Sequence, residues 1–303
     1  MRVVSRRTVL EGALGAVALA AVRPAAAKTA PITDELTLVT GFGGNVIALT
    51  TSDGLVLVDS GAPIARKDPL LPALAELPAG LRVHTLFNTH WHLDQVGGNE
   101  WIGASGATIV AHEKTRLHLA TPTYDPVEDR YRPALPVKAQ PNESFYTTAE
   151  KTIGGRRIDY GYLLEAHTDG DAYVYFRDAN VIAVGDAIAP HRDVELDWFG
   201  GGWLGGRVDS LQQLLKITDA RTRFVPSYGE PVGRDAVQAE HDTCKLLFDR
   251  FFERVRKGET PEYMLANGIM EGTGRMWNDA AKFVHDANKG FWGHNNTLSH
   301  DIV

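Results

Sequence analysis

Two imidazoles and a carboxylate fall within five residues in His90-Trp91-His92-Leu93-Asp94, directly after the apolar run Leu81 to Phe87. A loop leaving a strand can turn several such groups towards one ion, and α/β folds place their chemistry at strand ends. His167, in Glu165-Ala166-His167-Thr168-Asp169-Gly170-Asp171, follows a second apolar run and is a candidate third nitrogen. Catalytic zinc takes about three protein ligands and keeps one position for water, whose pKa it lowers to about 7 while polarising a carbonyl or phosphoryl oxygen. The set therefore predicts metal-assisted hydrolysis, with Asp94 placed to orient the water and accept its proton.

In chain order, His-x-His-x-Asp at 90–94, His-Thr-x-Gly-Asp at 167–171 and Val184-Gly185-Asp186 closely resemble the successive metal motifs of the metallo-β-lactamase superfamily. Gly43-Gly44-Asn45 and Val58-Asp59-Ser60-Gly61 sit where that family has its early strand-turn signatures, so the resemblance runs from about Leu36 to Gly233. By position, it implies a first metal site of His90, His92 and His167, and a second that keeps Asp94 and a bridging Asp186. The second site departs from the family pattern. Gln95 stands where the family usually has His, and Ser227-Tyr228-Gly229 replaces Gly-His-Gly.

A neutral amide is a poor substitute for imidazole towards zinc, and a phenol must lose its proton to ligate well. One zinc is expected, with a second ion, or iron on a phenolate-carboxylate set, left open. Tyr228 is then expected to donate a hydrogen bond to the developing oxyanion. The implied function is an exported, zinc-dependent hydrolase, mononuclear at the three-histidine site, acting on a small ester, lactone, amide or phosphoester. A non-catalytic metal or ligand binder on the same fold, and a genuine β-lactamase, remain as alternatives.

The elements that must hold these residues read as two β-rich halves. Leu36 to Thr40, Val46 to Thr50 and Leu55 to Asp59 are extended segments with turns between them, and Arg66 to Leu77 is helical. Tyr160 to Glu165, Tyr173 to Phe176 and Val181 to Val184 repeat the style. Arg207 to Asp219 and the region from about Gly233 onwards read as helical. The expected fold is α/β: an αβ/βα sandwich of two mixed β-sheets with helices on the outer faces, a single domain over 28–303 with a helical C-terminal extension. Five prolines make Thr121 to Ser144 an irregular surface excursion. Asp59 is a candidate support behind the metal loop, and Thr168 and Asp171 candidates to bond ligand imidazoles, against a plain turn role for each. Trp198 to Trp203 could wall a pocket or pack in the core. His191 reads as a surface histidine close enough to reach the site, while His84, His112, His118, His241, His285, His294 and His300 match no metal motif.

Residues 1–27 differ in kind: Arg2, Arg6 and Arg7 precede a mildly apolar run too short to span a bilayer, followed by Ala25-Ala26-Ala27. Ser5-Arg6-Arg7-Thr8-Val9-Leu10 resembles a twin-arginine export signal, which places the protein in the periplasm or outside the cell, with no membrane span after signal removal. The net charge is −7, and removal of the signal leaves about −10, an acidic surface that argues against nucleic acid and leaves a small molecule as the expected partner. Oligomeric state is not legible. Cys244 is the sole cysteine, so no internal disulfide forms, and its neighbours make it a buried structural thiol.

Overall fold

The computed structural model describes residues 27–63, 70–80, 82–125 and 129–295. Residues 1–26, which hold nearly all of the export pattern, lie outside them. An antiparallel meander comes first: β1 (Lys28–Pro31), β2 (Leu36–Thr40), β3 (Val46–Thr51) and β4 (Gly54–Val58). After α1 (Leu70–Ala75), β5 (Val83–Phe87) pairs parallel to β4. After α2 (Leu93–Val96) and α3 (Asn99–Ala104), β6 (Thr108–His112) pairs parallel to β5. Next come α4 (Glu113–Ala120) and a hairpin of β7 (Thr123–Asp125) and β8 (Arg130–Arg132), before β9 (Glu143–Phe145) closes the seven-stranded sheet.

The second sheet is antiparallel through β10 (Thr148–Ile153), β11 (Arg156–Tyr162), β12 (Ala172–Phe176) and β13 (Val181–Gly185). Following α5 (Leu204–Ile217), β14 (Arg223–Pro226) pairs parallel to β13, and α6 (Arg234–Arg256), α7 (Pro261–Ala266) and α8 (Ala280–Asn295) are the last elements among the described residues.

Side-chain alternation along the strands builds four layers. Val56 and Val58 of β4 point inwards to meet Val174 and Phe176 of β12, so the two sheets share one core. Leu55 and Leu57 point the other way, onto Leu70 and Leu74 of α1 and Ile102 of α3. On the far side, Tyr173, Tyr175, Ile182 and Val184 face α5, α6 and α8 through Leu211, Leu247, Phe251 and Phe291. The helices beyond Gly233 thus contribute to the core of the second half. Cys244 is buried there, and that burial pushes its thiol up to about 12. Every residue of β4, β12 and β13 is buried, which is why these strands read as continuous apolar runs.

The boundaries differ from expectation in three places. Leu163 to Glu165 leaves the sheet after β11, with Glu165 at a positive φ of 53°, because the chain must turn there to present His167. Thr121 to Ser144 is less irregular than its prolines suggest, since Tyr124 and Tyr131 pack across the β7–β8 hairpin at 5.4 Å. The predicted helix over Arg66 to Leu77 is described only from Leu70, Arg66–Pro69 lying outside the described residues. Among the described residues, no helix is long and apolar enough to cross a membrane.

Candidate metal centre

The ends of β4, β5, β13 and β14 and the loop after β11 gather at one edge of the sandwich. Backbone hydrogen bonds tie the halves together there, from Ala172 N to Thr89 O (2.8 Å) and from Asn45 N to Ser227 O (2.7 Å). Gly185 makes the approach possible: it sits at φ 56°, and a Cβ on it would lie 2.7 Å from the Thr89 hydroxyl.

Each histidine is anchored by one ring nitrogen. Asp59 accepts both the backbone N–H (2.8 Å) and the hydroxyl (2.7 Å) of Thr89. With its proton committed to Asp59, the Thr89 oxygen accepts from His90 Nδ1 at 3.1 Å. His92 Nε2 donates to Asp197 Oδ2 (3.0 Å), and His167 Nδ1 donates to the Glu195 carbonyl (3.1 Å). These contacts assign the tautomers and leave His90 Nε2, His92 Nδ1 and His167 Nε2 with lone pairs. One donor atom from each ring lies within 4.8 Å of the others, and His92 Nδ1 is 3.1 Å from His167 Nε2. Tetrahedral ligands at zinc distances stand about 3.3 Å apart. His90 Nε2 is buried with no hydrogen-bond partner, a cost that a cation would remove. The three histidines therefore fit a single divalent ion.

The His167 loop is fixed from beneath by Asp171, which accepts from the backbone N–H of His167 (2.5 Å) and Thr168 (2.9 Å) and from the Thr168 hydroxyl (2.7 Å). Thr168 and Asp171 thus shape the turn and do not touch an imidazole. From above, Gly202 packs so close that a Cβ would lie 1.9 Å from the His167 carbonyl oxygen. The segment Trp198 to Trp203 divides its work: Trp198 and Phe199 line the cavity, whereas Trp203 stacks on His294 at 4.2 Å in the C-terminal helical layer.

Burial depresses His90 and His167 to about 3, so neither ring carries a second proton near neutrality. Burial also opposes charge on His92, but the hydrogen bond and charge of Asp197 override it and raise this imidazole. Protonated His92 is the form a metal must displace, so acid competes with binding. Metal affinity is expected to fall as pH drops through the raised pKa of His92, approaching about tenfold per pH unit below it, as one proton is expelled per ion. A competitive chelator titration across that transition checks this, and a slope of three protons would contradict it.

The remaining predicted residues form a second, adjoining group. Asp94 and Gln95 lie on α2, in the first turn after its N-cap His92. Asp94 Oδ2 accepts a short hydrogen bond from the Tyr228 hydroxyl and a second from Gln95 Nε2 at 2.9 Å. Burial works against the Asp94 charge, yet these donors, with His90 and His92, hold its carboxyl below the usual range. Burial and the Asp94 contact push the Tyr228 phenol well above its ordinary value. Tyr228 therefore keeps its proton and donates a hydrogen bond with it to Asp94, whereas the sequence reading aimed the hydroxyl at an oxyanion or, as a phenolate, at iron. Asp186 Oδ2 lies 3.6 Å from His90 Nε2 and 3.9 Å from His167 Nε2, while Oδ1 takes a close ion pair from Arg192. His191, next to Arg192, turns away to the Glu230 carbonyl (3.0 Å).

The metallo-beta-lactamase superfamily model matches residues 39–228, which include His90, His92, His167, Asp94, Gln95, Asp186, Arg192 and Tyr228. The chain belongs to that superfamily. Among solved structures, a metallo-beta-lactamase from Pontibacter korlensis is 19% identical, with a TM-score of 0.61 over 72% of this chain and 99% of the other. The stereoselective inverting sec-alkylsulfatase Pisa1 from Pseudomonas sp. is 14% identical, with a TM-score of 0.65 over 88% of this chain and 50% of the other. The DIM-1 metallo-beta-lactamase is 16% identical, with a TM-score of 0.57 over 72% and 97%. At these identities the likeness establishes the metallo-beta-lactamase fold, a mixed α/β architecture. The superfamily commonly holds hydrolases, and in this member the three-histidine cluster is able to hold a metal ion.

Within this superfamily member, three functional neighbours escape sequence reading: Arg192, Asp197 and Arg207. Arg207 is fully buried, paired with Glu240 (2.6 Å), and donates to the Asp186 carbonyl (2.8 Å). Its one available signal is an arginine on the apolar side of a helix. A cavity of about 690 Å³ opens over the centre, walled by Trp91, Leu119, Tyr124, Leu135, Trp198 and Phe199. His118 and His285, which match no metal motif, also line it. His118 stacks on Trp91 at 4.3 Å and bonds Asp169 at 3.0 Å.

Proposed function

We propose that the protein is an exported single-zinc hydrolase that attacks the carbonyl of an uncharged ester, lactone or amide bearing an apolar or aromatic body. The observation that carries this reading is the bare, buried Nε2 of His90 beside two further outward-tied imidazoles at the floor of an apolar-walled cavity. Three neutral nitrogens favour zinc. When bound, the ion supplies Lewis acidity towards a carbonyl and towards water.

The chain's own residues do the rest. Asp94 is locked by Tyr228 and Gln95 through Oδ2 alone, leaving Oδ1 to orient the attacking water and accept its proton. Asp197 and the Glu195 carbonyl keep His92 and His167 in the ligating tautomers. An uncharged substrate is supported because many charges around the cavity are already answered: Lys282 by Asp286, Arg192 by Asp186, His118 by Asp169. A phosphodiester or carboxylate would have to compete with those partners. Export is supported by the Arg6-Arg7 and Ala25-Ala27 patterns.

A hydrolysis screen of protein secreted from the full chain, with zinc and after chelation, tests the proposal. Turnover of neutral esters, lactones or amides that chelation abolishes and zinc restores is the expected result, with a mature N-terminus at Lys28. Turnover indifferent to chelation, or confined to anionic phosphodiesters, would contradict it.

A further inference from the structure

The superfamily pattern implies a second metal ion beside the first, and the residues of the second group do not fit one. We propose that Arg192 stands in its place: a guanidinium cation held between Asp186 and Tyr228 that keeps the centre at one metal. The inference rests on the single-metal reading above.

Four observations carry it. First, Asp186 is used on both sides, with Oδ2 facing the three-histidine site and Oδ1 bound to Arg192. The carboxylate thus spans a metal site and a fixed positive charge. Second, the Arg192 guanidinium lies 4.1 Å over the Tyr228 ring, the side chain that replaces a ligating histidine. Third, both replaced positions are committed to Asp94 as donors, Gln95 through Nε2 and Tyr228 through its hydroxyl, where the superfamily pattern has ligating imidazoles. Gln95 Oε1 is buried without a partner on the other side of that amide.

Fourth, Arg192 is braced from behind. Arg275 grips the Arg192 carbonyl and the Ala189 carbonyl (3.0 Å), and Glu195 pairs with the second guanidinium nitrogen at 3.3 Å. A planar, permanently charged fork can pair with a carboxylate and stack on a ring at once, which an ammonium does less well. Two like charges competing for one carboxylate repel, so the guanidinium and a second ion exclude each other. Arg192 is accordingly a positioning residue, acting on Asp186 and Tyr228 and on metal count.

Zinc titration followed by elemental analysis tests this in the wild type, in Gln95→His, and in Gln95→His combined with Arg192→Ala or with Arg192→Met. The Met variant keeps bulk while removing charge, so that a fold lost with Ala leaves the test intact. Wild type and Gln95→His are expected to hold one zinc per chain. Removing the guanidinium in the Gln95→His background is expected to tighten a second zinc at least about tenfold and bring the count to two. A second-zinc affinity that is unchanged between Gln95→His and both combined variants would overturn the inference alone. A wild-type chain that binds no zinc would overturn the single-metal reading, and this inference with it.

Discussion

Replacing His167 with Ala is expected to yield a folded protein that has lost its metal and nearly all turnover. His167 lies on a loop that Asp171 and Gly202 hold independently of its imidazole, so the fold should survive the truncation. Structural zinc sites bind with roughly 10–16 kcal/mol spread over four ligands, so one lost nitrogen weakens binding by about 10²–10³-fold. Turnover should fall at least as far, because the Lewis acid leaves with it. Asp197→Asn is the graded companion. It leaves all three ligands present but weakens the acceptor that orients His92, and a loss of about 10–100-fold in metal affinity is expected. Isothermal titration with zinc, paired with rate measurements, checks both variants. Full activity in metal-stripped His167→Ala protein would end the metal account.

Asp94→Asn separates the base from the metal site. The substitution preserves shape and retains an oxygen for the Tyr228 hydroxyl, but the amide no longer accepts a proton. A fall of about 10²–10⁴-fold in kcat with little change in KM is expected, and the metal content should stay at one. A role for Asp94 as an essential metal ligand predicts the opposite order, metal lost first and turnover with it. Tyr228→Phe is milder in this account, because it removes one hydrogen bond to Asp94 and leaves its carboxylate in place.

Much of the site was readable because its residues are local to strand ends. An apolar run that stops at His90-Trp91-His92-Leu93-Asp94 announces both the strand and the cluster, and the same holds for Val181 to Asp186. The four-layer arrangement followed from two β-rich halves with helical segments between and after them. What stayed hidden depends on distance along the chain. Asp197 reaches His92 from 105 residues away, and Arg192 meets Tyr228 only once β13 and β14 lie side by side. No periodicity distinguishes either from an ordinary loop charge. His118 and His285 escaped for the same reason, their place in the cavity wall being set by α4 and α8. Tyr228 was found by position, but its role turned on a hydrogen bond that no spacing encodes. The strand β6 and helix α4 went unread because a five-residue strand with three apolar residues and a mostly polar helix carry little pattern.

The number of metal ions per chain tests the central claim most directly. Elemental analysis of the protein purified without added metal should give close to one zinc per chain, and saturation with excess zinc should leave that number unchanged. Two tightly held ions per chain, or none, would contradict a centre built from His90, His92 and His167 alone.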